Sequence, residues 1–173
     1  MTLNFVSELD AASQAVASFI QTIPDTALDQ QVDTDAWSVK QVIAHLALSH
    51  NWYMIIVSLA RENHFVDVIL SPSLSGLQQV RATNEQVLAC TTSAAAANIF
   101  QDTFAQLRAM LISLTPQDLD RPFQMYELET TTAQITTLRQ RVIQTATEHM
   151  YEHLAQIQSS LVAHQGTKRR EKL

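Results

Sequence analysis

Residues 37–63 read WSVKQVIAHLALSHNWYMIIVSLAREN, and this stretch decides the fold that the sequence predicts. Ser38 is of the residue type that caps helix N-termini, and Gln41 follows three residues later, as in a capping box. The helix that begins at Val39 is expected to continue to about Asn63. Its residues are mostly apolar, which predicts a helix that is buried on more than one side.

The rest of the chain has the composition of a helical protein. Only 2 Gly and 4 Pro occur among 173 residues, so helix breakers are rare and long helices are expected. Besides the helix above, helical spacing predicts helices at about residues 3–22, 76–90, 93–113 and 132–163. No segment shows clear strand alternation. Residues 65–75 are expected to be a loop, with a short extended or helical piece before it as an open alternative, and residues 116–131 are expected to be a loop. The sequence therefore predicts an all-α helical bundle of four long helices with one or two shorter helices in the connections.

Charge and cysteine content limit the classes of function. The chain carries a formal net charge of −6, although its last nine residues, QGTKRREKL, hold four bases and one acid. An acidic body argues against nucleic acid as a partner. The lone Cys90 fits a reducing cytoplasm, and neither a leader nor a stretch of about 18 apolar residues is seen. We expect a cytoplasmic protein with one domain at residues 1–164 and a disordered basic tail at 165–173.

Three histidines are the strongest candidates for a functional site. His149 and His153 stand four residues apart in TEHMYEHLAQI, which places both on one face of a helix. One metal ion can bind both, and His45 on a facing helix can complete a site of three nitrogen ligands. Three protein ligands leave a coordination position for water or substrate, as is typical of catalytic metals.

A less specific interpretation stays open, because an H-x-x-x-H pattern is short and its imidazoles can simply meet solvent or a carbonyl. H-E-x-x-H is not found, so a zinc protease is not indicated. Glu148 and Glu152 flank the pair and are candidates to orient an imidazole or to act as a general base, or they are solvated. His50 lies about 140° around the helix from His45 and is expected to point elsewhere.

Two separated motifs resemble the DinB superfamily of YfiT-like metal-dependent enzymes. WSVKQVIAHLA (37–47) is similar to its W-[ST]-x(6)-H-L pattern, and EHMYEHLAQIQ (148–158) to its late E-H-x(3)-H-x(2)-Q-I pattern. The resemblance spans about residues 3–163. It implies an up-down-down-up four-helix bundle in which His45, His149 and His153 bind a divalent metal, Zn or Ni.

The resemblance also implies a range of reactions, because similar proteins include transferases that use low-molecular-weight thiols, a thiol-dependent isomerase and hydrolases. We therefore expect a metal-dependent enzyme for thiol S-transfer or hydrolysis on a small electrophilic substrate, with a low-molecular-weight thiol as a possible second substrate. Pairing into a homodimer is a further implication. The alternative is a non-catalytic bundle that binds a small ligand or a partner, with the metal structural or absent.

Overall fold

The computed structural model of the protein describes residues 6–32, 37–69, 74–126 and 133–170. Helices and strands follow in the order α1 (Ser7–Thr22), α2 (Val39–Glu62), β1 (Asp67–Ile69), α3 (Leu74–Leu88), α4 (Ser93–Ile112), α5 (Pro116–Asp120), β2 (Phe123–Tyr126), β3 (Gln134–Thr136) and α6 (Thr145–Arg170). A 3-10 turn covers Asp25–Ala27, and a π-helix covers Arg139–Gln144. The long helices α1, α2, α4 and α6 confirm the predicted bundle, with α3 and α5 as additional helices in the connections. The predicted helix start near residue 3, parts of the predicted loops and the start at Thr132 lie outside the described residues.

The start of α2 has the capping box that the sequence predicts. The Ser38 hydroxyl accepts a hydrogen bond from the Gln41 backbone N–H at 3.2 Å, and the Gln41 side-chain oxygen accepts one from the Ser38 N–H at 2.7 Å. These two bonds satisfy donors that an uncapped helix end leaves free. Because α2 begins at a defined residue, His45 has a fixed place in its second turn.

Contacts near the ends of α1 and α4 show that these two helices are antiparallel. Arg108, near the end of α4, donates two hydrogen bonds to Asp10 near the start of α1, at 2.8 and 3.0 Å. At the other end, the hydroxyl of Ser93, where α4 begins, donates to the carbonyl of Ile23 just after α1, at 2.6 Å. Both contacts join the end of one helix to the start of the other.

The same reasoning shows that α2 and α6 are antiparallel. Ser160, late in α6, donates to the carbonyl of Gln31 before α2, at 3.1 Å, whereas the earlier His149 meets His45 within α2. In contrast, the end of α1 borders one groove with Leu161 and other late residues of α6, so these two helices run in the same direction. Taken in chain order, the four long helices run up, down, down and up, as the resemblance implies.

A small three-stranded sheet lies beside the bundle. β1 agrees with the short extended piece that the sequence leaves open before the loop, whereas β2 shows that the expectation of a loop over residues 116–131 is wrong. β1 pairs with β2 in parallel, with Asp67 opposite Gln124, and β2 pairs with β3 in antiparallel, with Gln124 opposite Ile135. Phe123 and Met125 are buried against the bundle. These strands contain only three or four residues each, which is too few for alternation to be recognised in a sequence.

The last helix also differs from the prediction of one continuous helix over residues 132–163. Residues Gln134–Thr136 form a strand, and a six-residue π-helix precedes α6, in which the Thr145 hydroxyl donates to the carbonyl of Gln140 at 3.0 Å. The helix then continues to Arg170 and does not end before Gly166. The division into a domain of residues 1–164 and a tail of residues 165–173 stays a prediction.

Within the described part of the chain, α2 is long and apolar enough to cross a membrane by length and composition alone, which differs from the expectation above. Its mean hydropathy over the relevant window is 1.4, and 56% of that window is buried inside the protein. A core helix of a bundle has the same properties. The apolar character of α2 is thus explained by its contacts with α3, α4 and α6.

Candidate metal centre

The structure brings together the three histidines that the sequence singled out. His45 extends from α2, and His149 and His153 extend from successive turns of α6. The Nε2 atom of His149 lies 2.8 Å from that of His45 and 3.0 Å from that of His153. The three rings are steeply inclined to one another, at 75° to 84°. One ligand nitrogen from each ring therefore faces a common point.

This arrangement fits a divalent cation. Imidazole nitrogens bind zinc at about 2.0–2.1 Å, so two of them at angles of about 90–110° are separated by roughly 2.9–3.4 Å. The observed separations are close to the short end of that range. A neutral imidazole carries only one N–H. When that proton is on Nδ1 in each ring, the three Nε2 atoms present their lone pairs to one point. A shared cation would accept all of them.

Gln156 fixes the orientation of one of these rings. Its side-chain oxygen lies 2.7 Å from Nδ1 of His153 and accepts the Nδ1–H hydrogen bond. With the proton on Nδ1, the lone pair of His153 is on Nε2, the atom that faces the other two rings. An acceptor of this kind is common behind metal-binding histidines. The sequence contains a signal for it, because Gln156 follows His153 by three residues in the late motif, but only Glu148 and Glu152 are named there as candidate acceptors.

Glu148 and Glu152 lie on the exposed side of α6. Within the described residues, neither carboxylate hydrogen-bonds an imidazole of the cluster. Their proposed roles as orienting acceptor or general base stay predictions that these contacts do not support. Gln156 fills the position behind His153 in their place.

Partial burial keeps these imidazoles in the form that binds metals. Burial, followed by the nearby His153 and His45, lowers the pKa of His149 to about 4. Burial and then His153 also lower the pKa of His45. A metal ligand must be neutral imidazole, so His45 and His149 are ready to coordinate at neutral pH without first losing a proton.

His45 has two further contacts on its own side of the site. The ring of Trp37, one residue before the N-cap of α2, has its centroid 5.1 Å from that of His45 and is inclined at 58°. The Ser49 hydroxyl donates to the His45 carbonyl at 2.7 Å. Trp37 belongs to the first motif in the sequence, but only the fold shows which ring it contacts.

His50 points away from the cluster, as predicted, and is buried in the core. Its Nδ1 lies 2.9 Å from the Thr103 hydroxyl, which itself donates to the carbonyl of Phe100 at 2.9 Å. Because that hydroxyl has one proton, it accepts from His50, so His50 is the neutral Nδ1–H tautomer. Its Nε2 has no partner among the described residues, and the rings of Phe100 and Phe104 pack beside it.

Replacing His50 by leucine should make the stability of the metal-free protein less sensitive to acid. Burial, and next His149, lower the pKa of His50 from 6.5 to about 3. Between pH 6.5 and 3 the unfolded chain binds a proton at this histidine and the folded chain does not. The free energy of unfolding therefore decreases as the pH is lowered. From pH 7 to pH 4 this costs about 3 kcal/mol, which His50→Leu should abolish in urea unfolding at the two pH values.

Thr103→Val is the matched control, because it removes the hydrogen-bond partner and keeps the titrating ring. We expect the loss of stability between pH 7 and pH 4 to persist in that variant. An equal loss of stability in wild type and His50→Leu would contradict the assignment of this acid sensitivity to His50.

Comparison with known proteins agrees with this geometry. A family model of the DinB superfamily matches residues 8–157, which include all three histidines. Among solved structures, YfiT from Bacillus subtilis superposes with a TM-score of 0.65 at 21% identity, covering 90% of this chain and 82% of that chain. YfiT is described as a probable metal-dependent hydrolase with an unusual four-helix bundle topology. At this identity the similarity establishes a shared fold. No curated protein matches the chain.

Proposed function

Because the chain belongs to the DinB superfamily, we propose that it is a divalent-metal-dependent enzyme that holds its metal through His45, His149 and His153. The observation that carries the proposal is the convergence of three Nε2 atoms at 2.8 and 3.0 Å. The description of YfiT as a probable metal-dependent hydrolase supports metal dependence in this fold. Zinc or nickel fits a set of three imidazoles best.

The chain's own residues prepare the site for such an ion. Burial keeps His149 neutral, and Gln156 holds the tautomer of His153. Three protein ligands leave room for a substrate atom. A divalent ion held in this way supplies a Lewis acid and lowers the pKa of a water or thiol that it coordinates.

For the reaction, we propose thiol S-transfer to a small electrophile ahead of hydrolysis. A thiol held at such an ion would release its proton to solvent at neutral pH and would need no separate base. Hydrolysis commonly uses a general base beside the attacking water, and the two candidate carboxylates, Glu148 and Glu152, lie on the exposed side of α6. A cytoplasmic location fits this proposal, because low-molecular-weight thiols stay reduced there.

The metal-loaded protein should accelerate the reaction of a low-molecular-weight thiol with an electrophile such as 1-chloro-2,4-dinitrobenzene or monobromobimane. A Lewis acid lowers the activation barrier by several kcal/mol. We therefore expect a rate at least about 100-fold faster than in His45→Ala, whose site lacks one ligand. Thiols such as cysteine and coenzyme A are compared in the same assay. Metal content and melting temperature are measured on each sample.

The other outcomes separate the alternatives. Hydrolysis of p-nitrophenyl esters without thiol, lost in His45→Ala, would support the hydrolase. The proposal that the protein is an enzyme would be contradicted if the metal were fully present but neither activity was found and no small metal-binding anion was bound. This outcome would support a bundle in which the metal only joins α2 to α6.

A further inference from the structure

We propose that Trp37 determines the substrate specificity of this metal centre: its exposed indole face receives a flat apolar group carried beside the part of the substrate that meets the metal. The inference rests on the proposed function, since it takes the three-histidine site to hold a metal. It adds a substrate class, namely planar apolar or aromatic molecules with a small metal-binding head.

Trp37 is held in place by backbone hydrogen bonds at the entrance to α2. Its carbonyl accepts from the N–H of Val32 at 2.8 Å. Next to it, Ser38 forms a β-bridge with Gln31, and the N–H of Val39 donates to the carbonyl of Gln30 at 2.9 Å. The position of the indole beside His45 is therefore set by the backbone, although the ring itself is not enclosed by the core.

Burial changes steeply along the segment from Trp37 to His50. His50, which lies farther along α2, is 1% exposed, and Phe100 and Thr103 of α4 pack against it. His45 is partly buried. Trp37, at the start of the helix, is 43% exposed. Solvent exposure thus increases along this segment from His50 through His45 to Trp37, so the indole is the exposed ring beside His45.

The indole gives this side of the site a chemical preference. Its centroid lies 5.1 Å from that of His45, and 43% of its surface is exposed, so one part contacts the metal-binding ring and another part is accessible to a ligand. Aromatic rings favour offset-stacked or edge-to-face partners. A phenyl ring that covers part of the exposed indole removes roughly 60–80 Å² of apolar surface from water, which corresponds to about a 10- to 30-fold gain in affinity.

Two hydroxamates test this preference, because they share a metal-binding head and differ in the attached group. Acetohydroxamate carries a methyl group, and benzohydroxamate carries a phenyl ring. We expect the metal-loaded wild-type protein to bind benzohydroxamate about 10- to 30-fold more tightly in calorimetric titrations. In Trp37→Ala this ratio should fall below about 3, while metal content and acetohydroxamate affinity stay unchanged. Trp37→Phe should recover part of the ratio.

Trp52→Phe is the matched control and should keep the wild-type ratio. It also leaves Trp37 as the single tryptophan, so benzohydroxamate should change the fluorescence at the concentrations at which it binds. A ratio that persists in Trp37→Ala would overturn the proposal. Equal weakening of both hydroxamates, or loss of metal in Trp37→Ala, would overturn it in favour of a residue that only positions His45. A wild-type protein without metal would contradict the proposed function itself, before any variant is compared.

Discussion

Replacing His149 by alanine should deprive the protein of its metal. His149 is the central member of the cluster, since its Nε2 lies within 3.0 Å of both other Nε2 atoms. A structural zinc site of four ligands is worth about 10–16 kcal/mol, so one ligand corresponds to roughly a 100- to 1000-fold change in affinity. We expect metal analysis after gel filtration to give about one ion per wild-type chain and almost none in the variant.

Thermal unfolding compares metal binding by the wild-type protein and by His149→Ala without purification of the metal complex. Metal at about 1000 times its Kd adds about 4 kcal/mol to stability, which for a chain of this length raises the melting temperature by on the order of 10 °C. The rise should disappear in His149→Ala and persist in His64→Ala, a change at an exposed histidine outside the cluster. Unchanged metal content in His149→Ala would contradict the site.

Replacing Phe100 by alanine should destabilise the fold more than any surface change. Phe100 is fully buried in α4 and packs against the His50 ring, with centroids 5.0 Å apart. Truncation of a buried phenylalanine costs about 3–5 kcal/mol, because apolar contacts are lost and a cavity remains. That is a large part of the total stability of about 5–15 kcal/mol typical of a domain. Urea unfolding of the metal-free protein measures the loss directly.

Ile112→Ala serves as the control on the same helix. Its side chain is 47% exposed at the end of α4, so the change should cost no more than about 0.5 kcal/mol. Similar losses in both variants would show that Phe100 is not part of the packed core beneath the metal centre.

The parts of the fold that the sequence predicted well depend on local signals. The capping box at Ser38 and Gln41 needs only three residues, and the helical periodicity of α1, α2 and α4 repeats within each helix. The spacing of His149 and His153 is also a local signal. Their contact with His45 joins distant parts of the chain, and it could be predicted only through the family resemblance that links the two motifs.

The parts that the sequence did not predict depend on contacts between distant segments. Ile135 fits the helical stripe of the last helix, yet it lies in β3 and is 75% exposed, because pairing with Gln124 competes with helix formation there. Trp37 meets His45 next to the β-bridge that joins Ser38 to Gln31, a contact between separate parts of the chain. No periodic pattern carries such information.

The π-helix at Arg139–Gln144 has a consequence for how this protein can vary among its relatives. In an α-helix, one inserted residue rotates everything that follows by about 100°. Such single-turn π segments inside α-helices often lie at functional sites. Here it contains the buried Val142 and lies between the buried Leu138 and the turn that carries His149. An alignment of related chains should therefore tolerate a one-residue gap at positions 139–144, with Leu138 before it and the histidines after it each in their own register.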